Sequence, residues 1–148
     1  MPKAILYITY ANDSKNHLKW LTYEYEKVHQ LLEVGDRKQH YTLRMDSFVN
    51  REKLHSDLVK YRQDLQVFSF SGHAGRDVLL LEDGQANADG IALALQQCAQ
   101  LKLVVLNAVL QKGKYSNYWT WEFLWSLLQA QQLRTIKPPF FPFASFRH

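Results

Sequence analysis

The run Val67-Phe-Ser-Phe-Ser-Gly-His-Ala-Gly75 constrains this chain more than any other segment. Apolar residues alternate with small polar ones and then give way to a cluster of small residues. Alternation of this kind predicts a strand over Leu65 to Phe70 that ends in a turn carrying His73. An imidazole there would stand at the carboxyl end of a sheet. The flanking glycines would leave the backbone open to close approach, in the place where α/β sheets hold their ligands. Histidine is also the usual general base near neutral pH. The nucleophile that such a base would serve belongs at the end of the second apolar run, Leu101-Lys-Leu-Val-Val-Leu-Asn-Ala108, and no nucleophile stands there.

The rest of the chain up to residue 108 fits a sheet around these two runs. Lys3 to Tyr10 alternates and reads as the first strand. Asp13 or Ser14 is placed to cap a helix in which Leu18, Leu21, Tyr25, Val28 and Leu32 follow helical spacing, and Gly35 stands where a helix stop is expected. Gln39 to Met45 reads as a second strand. Asn50 is placed to cap a helix through Leu54, Leu58 and Tyr61, ending near Asp64. Asp77 to Glu82 reads as a short strand before a turn at Asp83-Gly84, Ala88 to Ala99 as a helix, and Lys102 to Leu106 as a buried strand. The order β-α-β-α-β-(β)-α-β predicts a largely parallel sheet with helices on both faces. His73 and Asn107 both fall at carboxyl ends of its strands.

A chain of 148 residues suits one domain with a real core. No apolar run is long enough to span a bilayer, and the N-terminus reads as a strand and not as a signal peptide. A single cysteine, Cys98, excludes an intrachain disulfide and fits a reducing cytoplasm, the expected compartment. The net charge of +4 invites a nucleic-acid reading, but its distribution argues against one. Residues 1–108 carry 13 Lys/Arg against 13 Asp/Glu, whereas residues 109–148 carry five basic residues and one acid, Glu122. Ten of the 20 aromatic residues also fall in those last 40 positions, which end in the helix-breaking run Pro138-Pro-Phe-Phe-Pro-Phe143. So sharp a change inside so short a chain calls for an explanation.

Three segments resemble the CHAT domain, a bacterial caspase-like cysteine peptidase of the caspase–gingipain–separase clan. They are Ile5-Leu-Tyr-Ile-Thr-Tyr-Ala-Asn-Asp-Ser14; Phe68-Ser-Phe-Ser-Gly-His-Ala-Gly75 with Leu79-Leu-Leu-Glu-Asp-Gly84 and Ala88-Asp-Gly90; and Leu101-Lys-Leu-Val-Val-Leu-Asn-Ala108. The likeness covers roughly residues 3–108. It implies a caspase-like three-layer α/β sandwich with a mostly parallel sheet, and a cysteine endopeptidase acting on peptides or proteins, often as an effector switched on by a fused sensor. By resemblance His73 is the general base, and backbone N–H groups near Gly72 and Gly75 would hold the oxyanion. The family's cysteine comes one residue after the Asn-Ala that ends the core strand, which here is Val109. Valine cannot attack a carbonyl, Ser116 is too far along, and Cys98 lies in the preceding helix, so the resemblance implies an inactive homologue. No cofactor, metal, nucleic acid or membrane span is expected. A sensor protein or an intact caspase-like homologue is the expected partner.

The tail departs from the family in an informative way. If the codons from Gln111 onward are read from the third base of each, Asn117/Tyr118 and Tyr118/Trp119 each yield Leu. Trp119/Thr120 then yields Asp and Trp121/Glu122 yields Gly. The remaining positions permit Lys-Gly-Gln-Val-Phe-Gln-Leu-Leu-Asp-Leu-Gly-Val-Pro-Val-Val-Ile, the type of segment the family shows at this point. The hypothesis is that one nucleotide was lost near codon 109. Residues 1–108 would then be the amino-terminal part of a caspase-like domain, and 109–148 an out-of-frame tail. Such a domain is C-terminally incomplete and would expose an apolar sheet edge.

Other readings stand beside this one. Ser71-Gly-His-Ala-Gly75 is a weak phosphate-loop candidate, because it lacks a lysine and a second signature glycine. Cys98 reads as a small apolar residue of a helix facing the sheet. His17, His29, His40, His55 and His148 are scattered, lack metal-ligand spacing and read as surface residues. The aromatic tail could lie on a membrane surface, but it lacks clean amphipathicity. The chain also fits a non-catalytic interaction module, or a TIR-like signalling or nucleotide-binding domain. No glutamate placed for NAD cleavage is identifiable from the sequence.

Overall fold

The computed structural model describes residues 3–12, 19–74, 78–110 and 134–136. In chain order they form β1 (Ile5–Tyr10), α1 (Trp20–Arg37), β2 (Thr42–Asp46), α2 (Arg51–Tyr61), β3 (Leu65–Ala74), β4 (Val78–Leu81), β5 (Gly84–Asn87), α3 (Ala88–Gln96), β6 (Leu103–Leu110) and β7 (Arg134–Ile136). The fold class is α/β. β2, β1, β3, β6 and β7 lie side by side in that order, and every neighbouring pair is parallel. β4 and β5 form an antiparallel hairpin joined to the last residues of β3.

This strand order fixes the layers. The path β1-α1-β2 steps one way across the sheet, and β2-α2-β3 steps back past β1. Right-handed crossovers therefore put α1 and α2 on opposite faces. The step from β3 to β6 continues in the second direction and places α3 beside α2. The core divides accordingly. Leu21, Tyr25, Val28 and Leu32 of α1 pack with Ile8, Tyr10, Leu43, Met45 and Val67. Leu54, Leu58, Ile91, Ala92 and Leu95 pack on the other face with Tyr7, Phe68, Phe70 and Val104. Alternation along β3 sends Phe68 and Phe70 to the α2/α3 side, and each is fully buried. Burial of that kind stabilises by about 1.5–3 kcal/mol per side chain.

Several boundaries differ from the sequence reading. α1 does not stop at Gly35. It continues to Arg37, and the chain turns at Gln39, whose φ is 61°. Gly35 is needed instead because a Cβ there would collide with the Tyr41 ring, which lies over α1 and donates its hydroxyl to the Leu32 carbonyl. β2 begins at Thr42 and not at Gln39. The expected caps Asp13 and Ser14, and Leu18, fall outside the described residues. Asn50 caps α2 as expected, its Oδ1 accepting from the Lys53 amide at 2.8 Å. α3 ends at Gln96, so Cys98 is buried just beyond the helix and not within it. β5 was not anticipated from the sequence.

The largest departure is at the end of β3. The strand does not stop at Phe70. It runs through Ser71, Gly72 and His73 to Ala74 because two neighbours pair with it there. β6 pairs in parallel register from Val67↔Leu103 to Ala74↔Leu110, and β4 pairs antiparallel at His73↔Leu80 and Ala74↔Leu79. Since β6 holds one edge, β4 must take the edge that β1 occupies as far as Ser71. β6 is likewise longer than expected and continues past Leu106 to Leu110. Its far edge is partly covered, because Leu103, Val104 and Val105 pair with Arg134, Thr135 and Ile136. The expectation of a bare sheet edge is corrected over those three positions.

Candidate functional site

The carboxyl ends of β1, β3 and β6 bring the candidate residues together. The direction of the crossovers reverses between β1 and β3, which is where doubly wound sheets form a ligand crevice. Gly72 permits the close fit of these two strands. A Cβ on it would lie 2.5 Å from the Ala11 carbonyl oxygen, and the Ala11 amide donates to the Ser71 carbonyl at 3.1 Å. The hairpin closes over the same end. Glu82, in the β4–β5 turn, accepts the Asn12 amide at 2.7 Å, and Asp83 accepts the Arg51 amide at 3.0 Å.

His73 lies within β3 and is 5% exposed, so it is not the turn residue expected from the sequence. Its register partner on β6 is Val109, the position at which the resemblance looks for a nucleophile. Two residues upstream, Ser71 pairs with Asn107, and Gly72 pairs with Ala108. The sequence motifs that were separated by more than 30 positions are thus adjacent along two parallel strands. Gly72 is accounted for by packing against Ala11, whereas Gly75 lies outside the described residues. So do Ser116, His17 and His148. His40 and His55 are exposed, while His29 is half-buried with its ring stacked on Tyr25 at 6.3 Å between centroids.

Glu24 was missed in the sequence, and α1 carries it into this site. Its Oε1 accepts from Ser71 Oγ at 3.1 Å and from Asn107 Nδ2 at 3.2 Å, and its Oε2 lies 3.4 Å from the same Asn107 nitrogen. Burial raises its carboxyl above the usual carboxylate range, and the hydrogen bonds from Asn107 and Ser71 oppose that rise. Tyr10 is close enough to sense it. Burial and then the Glu24 charge hold the phenol well above its ordinary value. The signal was present in the sequence: Glu24 is three residues after Leu21 and four before Val28, so an acid stands within the apolar stripe of α1.

On the other face Tyr7 donates to Asp57 Oδ2 at 2.8 Å, and Lys53 Nζ reaches the same oxygen at 2.8 Å. This network joins β1 to α2 on the face opposite α1, and Lys53 Nζ also lies 3.5 Å from Oδ2 of Asp46, the last residue of β2. Cys98 sits against α3, its thiol donating to the Ala94 carbonyl at 3.5 Å, and is no part of the His73 constellation. Among the described residues, no group of three or more His, Cys, Asp or Glu side chains converges in a metal-holding arrangement. No described helix is long and apolar enough to cross a membrane.

No protein-family model matches this chain, and no curated protein matches it.

Proposed function

We propose that this chain is a caspase-like cysteine endopeptidase homologue of the CHAT type that has lost its nucleophile and does not cleave peptides. The observation that carries the reading is the pairing of His73 with Val109 across adjacent parallel strands. A histidine–cysteine pair on this scaffold needs its two members at neighbouring strand ends, where imidazole draws the proton from the thiol and later returns it to the leaving amine. His73 occupies the first place, and an alkyl side chain occupies the second.

The out-of-frame origin of residues 109–148 belongs to the same proposal. The coding DNA tests it directly. A codon series that cannot encode Gly-Val-Pro-Val-Val in the shifted frame rejects it. The functional reading is tested by peptidase assays on two forms, the chain as it stands and one with Val109→Cys and the tail restored to the shifted frame. The first is expected to be inert and the second to cleave in a His73-dependent manner. Robust proteolysis by the unaltered chain, abolished by His73→Asn, would end the proposal.

Glu24 gives one observation in favour of a second reading, a TIR-like or nucleotide-binding domain, because it supplies a carboxylate at the strand ends. That carboxylate is engaged by Ser71 and Asn107. Titration of the chain with NAD, followed by shifts of the Ser71 and Asn107 amide resonances, separates the two readings.

A further inference from the structure

We propose that Glu24 is a positioning residue: delivered by α1, its carboxylate ties the carboxyl ends of β3 and β6 together and thereby sets His73 against position 109. The inference rests on the reading that these two positions are the seats of a former dyad. It adds a third element that holds them.

The geometry is specific. Ser71 and Asn107 are register partners, and one carboxylate oxygen accepts from both. His73 and Val109 are the next pair along the same strands, a single pleat repeat of about 7 Å further on. A side-chain bridge across two strands limits their relative shear and splay at the next pair as well. The apolar residues of α1 do not supply this link. Leu21, Tyr25, Val28 and Leu32 seat the helix over β1, β2 and Val67 in the first half of β3. Glu24 carries the hold of α1 on to the last residues of β3 and to β6. Hydrogen bonds to a carboxylate are among the stronger ones, and partial burial strengthens them further.

Two measurements test the proposal. In the unaltered chain, Glu24→Ala is expected to speed amide hydrogen exchange at Gly72–Ala74 and Ala108–Leu110 by roughly tenfold, the scale of a lost charged hydrogen bond. α2 should remain protected, and Glu24→Gln, whose amide oxygen can still accept from both partners, should restore most of the protection. Unchanged exchange at these residues overturns the proposal. If Glu24→Ala unfolds the chain, seen as lost protection in α2, the double variant Ser71→Ala/Asn107→Ala removes the bridge from its other side and is read in the same way.

The second measurement uses a Val109→Cys background and the pH profile of iodoacetamide labelling at 109, located by peptide mass. Glu24→Ala should slow labelling at neutral pH by about tenfold, moving the profile by roughly one pH unit, with Glu24→Gln close to the parent. If Glu24→Ala leaves the profile in place while His73→Asn moves it, the positioning role falls and the dyad reading stands. If His73→Asn does not move it, the dyad reading falls, and hydrogen exchange alone decides whether Glu24 bridges the strands.

Discussion

The Ala11 carbonyl lies against the α-carbon of Gly72, so closely that a methyl group there would sit 2.5 Å from the oxygen. The contact joins the chain just beyond β1 to the part of β3 that leads into His73. Gly72→Ala is therefore expected to destabilise the fold by about 1–3 kcal/mol through enforced backbone movement. Gly90 provides the contrast. It lies in the first turn of α3 with open space around its α-carbon, so Gly90→Ala should stabilise by about 0.5–1 kcal/mol. Urea denaturation of both variants checks the pair. Equal effects at the two sites would mean that the Ala11 contact does not constrain β3.

A second prediction concerns Tyr7 and Asp57. Tyr7→Phe removes one donor but leaves Asp57 bound by Lys53, and should cost about 1–2 kcal/mol. Asp57→Ala strands the buried Tyr7 hydroxyl and leaves Lys53 with the longer 3.5 Å contact to Asp46 among the described residues, so it should cost about 2–4 kcal/mol. The double variant should cost less than the two single effects added together, because the hydroxyl and the carboxylate act on one another. Simple additivity in denaturant melts would show that the bond contributes nothing of its own.

The layers, the order of the main elements along the chain and the apolar stripe of α1 were legible because each is a periodic signal over many residues. Asn50 was legible because its capping role is local. The path of β3 was not. Ser71 and Gly72 resemble turn residues, but pairing with β6 and β4 keeps the backbone extended, and the glycine answers a clash with Ala11, which is distant in sequence. Gly35 misled in the same manner, since its small size serves Tyr41 while Gln39 takes the left-handed turn. β5 has little strand propensity in Gly84-Gln-Ala-Asn87 and forms by pairing with β4. The pairing of His73 with position 109 was anticipated only as a likeness between motifs. Its register, and the arrival of Glu24 beside it, depend on how α1 crosses the sheet.

Glu24 also gives the fold a pH dependence whose sign is opposite to that of an ordinary paired carboxylate. Its folded pKa is raised above the usual 4.5, chiefly by burial. Between 4.5 and that raised value the folded state binds more protons than the unfolded state, so stability falls as pH rises through the window. Glu24→Gln should remove this slope, leaving the variant no less stable than the parent at neutral pH and nearly equal to it near pH 4. Thermal melts from pH 4 to 8 measure the difference. A Gln variant that loses stability steadily with rising pH, in parallel with the parent, would assign the slope to another group.

Cys98 extends the linkage argument to alkaline pH and provides a check on the core. Burial pushes its thiol from 9.0 up to about 11, against a smaller opposing effect of Arg62. The native thiolate fraction at pH 8 is then about a hundredfold below that of an exposed cysteine, and access through the core lowers the rate further. Labelling of the folded chain should therefore follow transient opening and accelerate steeply as urea approaches the unfolding midpoint. Because the folded pKa is raised, the stabilising contribution is complete below pH 9 and fades as pH climbs toward 11. Cys98→Ala should flatten stability over that interval, at the expense of some packing beside Ala94. Rapid labelling in native buffer, independent of urea, would place the thiol outside the core.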